Sequence, residues 1–115
     1  MSFKEIHPYQ KRLEEANRII DKYNGRIPVI LEVNKSNINE IIIDKKKYLV
    51  PDDLTVSQFI YVIRKRLDIE SEKALFLFFN NHLPASSSLM NDIYKKYKSD
   101  DNFLYAIISL ESTFG

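Results

Sequence analysis

At 115 residues and 44% hydrophobic, the chain is long enough to build one core and too short for several. It has no cysteine, which excludes a disulfide framework, a thiolate nucleophile and a thiolate metal site, and its net charge of +1 is far from that of a nucleic-acid binder. The charge is unevenly spread, with ten Lys/Arg against seven acids in residues 1–50 and seven against nine in residues 51–115, so the first half suits an acidic partner.

The N-terminus lacks an apolar signal core, and the longest apolar run, residues 74–79, falls well short of the roughly 20 residues that span a bilayer. The chain is expected to be soluble as translated, with any membrane residence acquired later. After a short segment at residues 3–7, Pro8 is placed to open a helix, because its fixed φ suits a first turn. Tyr9, Leu13, Ala16, Ile20 and Tyr23 then recur every three or four residues, the stripe of an amphipathic helix, with Ile19 on its flank. Asn24-Gly25 ends that helix, Gly25 supplying a left-handed cap.

Residues 26–33 read as a first strand with Pro28 near its start. Asn34-Lys35-Ser36-Asn37 is turn chemistry, and Ile41-Ile42-Ile43 is apolar enough to extend the second strand backward. That second strand centres on Lys45-Lys46-Lys47-Tyr48-Leu49-Val50-Pro51. Aromatic and β-branched side chains suit a pleated surface. Lysines and a proline mark a guarded sheet edge, where another chain can add itself as a strand. Thr55 with Gln58 forms a capping box for a helix bearing Val56, Phe59, Ile60, Ile63 and Leu67, ended by Arg64-Lys65-Arg66. Residues 74–80 read as a buried third strand. Ser86-Ser87-Ser88 offers an N-cap for a helix with Leu89, Ile93, Tyr94 and Tyr97, and residues 103–110 form the last strand before a short polar tail. The order is a helix followed by ββαβαβ, which implies an α+β fold. A β-grasp with an N-terminal helical extension is its most economical form. The chain divides into an extension over 1–24, a β-grasp domain over 25–110 and a tail over 111–115.

Catalysis finds no support in the residues. His7 and His82 sit beside prolines in turns, outside any metal-ligand spacing. Two glycines cannot make a phosphate loop, and the paired acids Asp52-Asp53 and Asp100-Asp101 lie at helix boundaries, where capping is their ordinary role. No enzyme activity, cofactor or metal is expected.

Asp44-Lys45-Lys46-Lys47-Tyr48-Leu49-Val50-Pro51, Asp53-Leu54-Thr55-Val56 and Ile63-Arg64-Lys65-Arg66 resemble the autophagy ubiquitin-like modifiers, the GABARAP branch above all. Tyr23-Asn24-Gly25-Arg26-Ile27-Pro28-Val29-Ile30, Phe79-Asn80-Asn81-His82-Leu83-Pro84 and Phe103-Leu104-Tyr105 carry the resemblance across nearly the whole chain. It implies a ubiquitin-type β-grasp with two extra N-terminal helices, and a modifier rather than an enzyme. The C-terminal glycine, here Gly115, is passed through activating and conjugating enzymes to phosphatidylethanolamine, and a cysteine protease processes or deconjugates the chain. The protein would be cytoplasmic, moving to autophagosome or vesicle membranes on lipidation. There it recruits cargo receptors and adaptors that carry an aromatic-x-x-aliphatic motif.

The resemblance also implies a site. An aromatic pocket comprises Glu15, Ile19, Pro28, Ile30, Lys47, Leu49 and Phe103, and an aliphatic pocket Tyr48, Val50, Pro51, Leu54, Phe59 and Val62. Arg26, Lys45, Lys46 and Arg66 receive flanking acids. Side chains three apart on a strand face opposite ways, so one added strand would fill both pockets. Phe59 and Ile30 read chiefly as core residues, Lys47 and Tyr48 as recognition residues. The sequence departs from the family pattern at Asn24 and Gly25, at residues 33–43, at Val62 and at Asn102.

Overall fold

The structure, a computed structural model, describes residues 1–110; the tail at 111–115, with Gly115, lies outside the described residues. Two helices, α1 (Phe3–Ile6) and α2 (Tyr9–Lys22), precede β1 (Arg26–Val33), β2 (Lys47–Pro51), α3 (Val56–Leu67), β3 (Phe76–Phe79), α4 (Met90–Tyr97) and β4 (Leu104–Ser109). The four strands form one mixed sheet in the order β2-β1-β4-β3. Antiparallel pairs flank a central parallel pair, β1 with β4. β1 is buried on both faces, as expected of a strand central to a parallel ladder. This is the α+β, ubiquitin-like arrangement.

Strand alternation divides the apolar residues into two layers. Ile27, Val29, Leu31, Tyr48, Val50, Leu104, Ala106 and Ile108 pack against α3 and α4 through Val56, Phe59, Ile63, Met90 and Ile93. On the other face Ile30 and Phe103 meet Phe3 and Ala16, with Ile19 and Tyr105 at the rim. Phe3 and Phe103 stand edge to face, with centroids 5.4 Å apart.

Several local expectations change. The segment at 3–7 contains a helix, opened by a capping box in which Ser2 accepts from the Glu5 amide and Glu5 accepts from the Ser2 amide. In α2 the packed residues are Ala16 and Ile19, while Tyr9, Ile20 and Tyr23 are exposed, so the packed face is turned from the expected stripe. Gly25 does not cap α2, whose C-cap is Tyr23; at φ 79° it takes the left-handed position of the turn into β1, closed by the Arg26 amide donating to the Tyr23 carbonyl at 3.1 Å. Ile41–Ile43 does not extend β2. A 3-10 turn, Lys35–Asn37, leads into irregular chain, where Ile41 is buried and Ile42 points out. The serines do not cap α4, whose N-cap is Leu89. Instead the carbonyls of Ser88 and Ser86 accept from the amides of Val56 and Ser57, the unpaired donors of α3's first turn. Thr55 and Gln58 form the expected box beside them.

Asp101 is not a cap for a helix. Fully buried, it accepts from Arg12 Nη1 at 2.6 Å, from the Tyr105 hydroxyl at 2.6 Å and from the Phe103 amide at 2.9 Å. A buried carboxylate needs such partners to offset its desolvation, and here they bolt α2 to β4 through Arg12 and Tyr105. Asn102, at φ 67°, occupies the left-handed region that glycine also favours.

Candidate peptide-binding edge

Among the described residues, β2 pairs with β1 alone, on one side. The bonds from Leu31 N to Lys46 O (2.8 Å) and from Asp52 N to Gly25 O (2.9 Å) fix the phase of that ladder. Hydrogen-bonded pairs alternate with non-bonded ones in an antiparallel ladder. The amides of Tyr48 and Val50 therefore face β1, and those of Lys47 and Leu49 face outward. The same phase accommodates Pro28, which sits opposite Leu49 at a non-bonded position and precedes the first β4 pair, Val29 with Leu104. Its missing N–H costs neither ladder a bond. Pro51, on the outer edge, has its carbonyl occupied by the Leu54 amide at 3.2 Å, which closes that end.

The open edge runs between two helices of different character. On the α2 side, Lys47 Nζ reaches Glu15 Oε2 at 2.5 Å and joins β2 to the helix. Ile19 and Leu49 are half-buried on the same side, and Pro28, Ile30 and Phe103 are buried. The seven residues expected for the aromatic side thus share one sheet face, but only Glu15, Ile19, Lys47 and Leu49 reach the surface. An aromatic side chain entering here has to part the Lys47–Glu15 bridge, an exposed pair of the kind worth less than about 1 kcal/mol.

On the α3 side, Tyr48 packs edge to face on Phe59 with centroids 6.1 Å apart. Tyr48 is 8% exposed and Phe59 is 1% exposed, so Tyr48 belongs to the core as much as Phe59 does. Burial pushes the Tyr48 phenol up, with Arg66 acting against it, and the hydroxyl has no hydrogen-bond partner among the described residues. Val50 is buried, Pro51 and Leu54 are half-buried, and Val62 stands 44% exposed. Here the accessible rim is Val62, Leu54 and Pro51.

The expected acid-receiving cations are not all gathered. Arg66 pairs with Asp44 at 3.5 Å on the α3 side, and Lys45 Nζ lies 5.4 Å over the Tyr48 ring. Lys46 turns away, its Nζ 3.5 Å from the Met1 carbonyl. Arg26 has a contact that composition did not disclose: its guanidinium donates to the outward Leu49 carbonyl at 3.1 Å. It therefore occupies one of the few acceptors that an added strand could use. The register opposite Pro51 was the signal available for it, since a residue at the start of β1 lies alongside the end of β2.

A family model described as the ubiquitin-like autophagy protein Atg8 matches residues 11–115. The chain belongs to the Atg8 family. Autophagy-related protein 8 of Pichia angusta is 57% identical over 114 residues, covering 98% of this chain and 90% of that one. The Coccidioides immitis protein of the same name is likewise 57% identical, with 98% and 96% covered. The crystal structure of Trypanosoma brucei ATG8 superposes with a TM-score of 0.88 at 42% identity, covering 100% of this chain and 98% of that one. An Atg8 protein is an autophagy-related, ubiquitin-like modifier, and that much holds for this chain. No described helix is long and apolar enough to cross a membrane.

Proposed function

We propose that this Atg8 protein is conjugated through Gly115 to phosphatidylethanolamine on autophagosomal membranes, and that it recruits receptors and adaptors by adding their aromatic-x-x-aliphatic segments to β2. The observation that carries the docking half is the outward pair of amides at Lys47 and Leu49. They lie between a face with Ile19 and Leu49 and a face with Leu54 and Val62, so a single strand can bond to the edge while its alternate side chains enter both faces. Cations at Lys45, Arg26 and Arg66 favour acidic residues flanking the segment. The conjugation half is supported by family membership and by Gly115, whose missing side chain lets it thread a narrow enzyme channel. Its partners are then the activating and conjugating enzymes, a processing cysteine protease and motif-bearing receptors, and the protein moves from cytoplasm to vesicle membrane when lipidated.

A β-grasp adaptor that binds peptides but is never conjugated is the rival reading. Incubation with the activating and conjugating enzymes, ATP and phosphatidylethanolamine liposomes separates the two. We expect a thioester and then a lipid adduct by intact mass, both lost in Gly115→Ala. If the wild-type chain forms neither, the adaptor reading stands in its place.

A further inference from the structure

The segment between β1 and β2 carries apolar side chains that the fold does not use. Ile41 is buried at 5% exposure and Ile43 packs against the core, but Ile38 is 63% exposed and Ile42 is 85% exposed. A lone exposed aliphatic side chain is unremarkable on a protein surface. Two on one short segment, among residues that do pack, call for a partner.

The position of the segment identifies that partner. Asn37 Oδ1 accepts from the Leu110 amide at 3.0 Å and from the Ser109 hydroxyl at 3.3 Å, and Asn34 Nδ2 donates to the Ser109 hydroxyl at 3.2 Å. The Asn34 amide also bonds to the Ile108 carbonyl at 2.8 Å. Asn34, Asn37 and Ser109 are all buried. The segment is therefore latched to the end of β4, where the C-terminal tail departs. Gly115 is the fifth residue after Leu110. Fully extended, that stretch reaches at most roughly 17 Å. Whatever Gly115 is joined to lies within that distance of Leu110, and Ile38 follows directly on the residue that Leu110 binds.

We infer that residues 35–43 form a second membrane contact, with Ile38 and Ile42 entering the boundary between headgroups and acyl chains of the bilayer to which the chain is tethered. The inference rests on the proposed conjugation of Gly115 to a lipid. Charge is consistent with it. Of the acids in and beside the segment, Glu40 lies 3.9 Å from Lys73 and Asp44 pairs with Arg66, while Lys35 is exposed to meet lipid phosphates. Shallow insertion of aliphatic side chains beside lysines is the pattern of interfacial binding. A tether alone would let the domain tumble; the second contact fixes its orientation and holds one end of the sheet to the membrane.

The test places an environment-sensitive fluorophore at Asn39→Cys, between the two isoleucines, with a control at Asp53→Cys at the opposite end of the sheet. The labelled chains are conjugated to phosphatidylethanolamine liposomes, and the adduct is measured separately by gel shift. We expect a blue shift and a several-fold rise in emission at position 39, quenching by spin-labelled lipids, and no change at position 53. Ile38→Asp with Ile42→Asp should return position 39 to its value in water without reducing the adduct. A full adduct with a solvent-like signal at 39 overturns the membrane contact and leaves conjugation standing. Absence of the adduct overturns both. A blue shift on merely concentrating the unconjugated chain would assign the isoleucines to a second copy and overturn the inference as well.

Discussion

Tyr48 and Leu49 are neighbours in sequence and opposites in physics. Tyr48 lies in the core against Phe59, so Tyr48→Ala removes a buried aromatic ring and is expected to cost about 3 kcal/mol or more of stability. Leu49 is half-buried on the other face, and Leu49→Ala should cost only about 1 kcal/mol. Urea unfolding followed by calorimetric titration with an aromatic-x-x-aliphatic peptide separates the two effects. Leu49→Ala weakens binding with little change in the unfolding midpoint, whereas Tyr48→Ala shifts the midpoint strongly. Equal midpoints for the two variants would show that Tyr48 is not a core residue. Tyr105 supplies a pH signature. Burial first, and then its bond to Asp101, hold its phenol above the ordinary 10.0. A raised pKa means that its stabilising contribution is complete below the unfolded value and is lost as pH climbs past it. Stability measured from about pH 8 to about pH 11 should therefore fall more steeply for the wild type than for Tyr105→Phe. Parallel slopes would deny the buried phenol this role.

At the scale of elements, the β2 edge owes its selectivity to ladder phase. Leu49→Pro deletes an outward amide without touching the β1 bonds made by Tyr48 and Val50. Peptide affinity should drop roughly tenfold, equivalent to about 1.4 kcal/mol for a lost hydrogen bond, while the far-ultraviolet spectrum is retained. Unchanged affinity would argue against strand addition. Much of this element could be read in the chain itself. Alternation assigned residues 47–50 to two faces, the lysines and Pro51 marked an edge, and Thr55 with Gln58 placed the start of α3. The chemistry of those signals is local. What escaped was tertiary. The packed face of α2 is set by Asp101, which holds Arg12 from far along the chain, and no periodicity within α2 records it. The isoleucines at 41–43 looked like strand because composition cannot show that Asn37 bonds to Leu110 and pulls that stretch off the ladder. The two N-terminal helices implied by the family resemblance are both present, but periodicity alone shows only α2, although Ser2 and Glu5 spell the capping box of α1.

For the molecule as a whole, two layers on one sheet divide the work. The α3–α4 layer holds the larger core. The thinner α2 layer leaves Ile19 and Leu49 half-buried, with the Lys47–Glu15 bridge joining β2 to the helix. Peptide docking at β2 and tethering beyond Leu110 are compatible, because β1 lies between β2, with its open edge, and β4. Amide hydrogen exchange, residue by residue, with and without a saturating aromatic-x-x-aliphatic peptide tests the central claim most directly. Strand addition predicts that Lys47 and Leu49 gain protection, while Tyr48 and Val50, already bonded to β1, stay as they were. A peptide that binds while leaving the Lys47 and Leu49 amides unprotected would contradict the account.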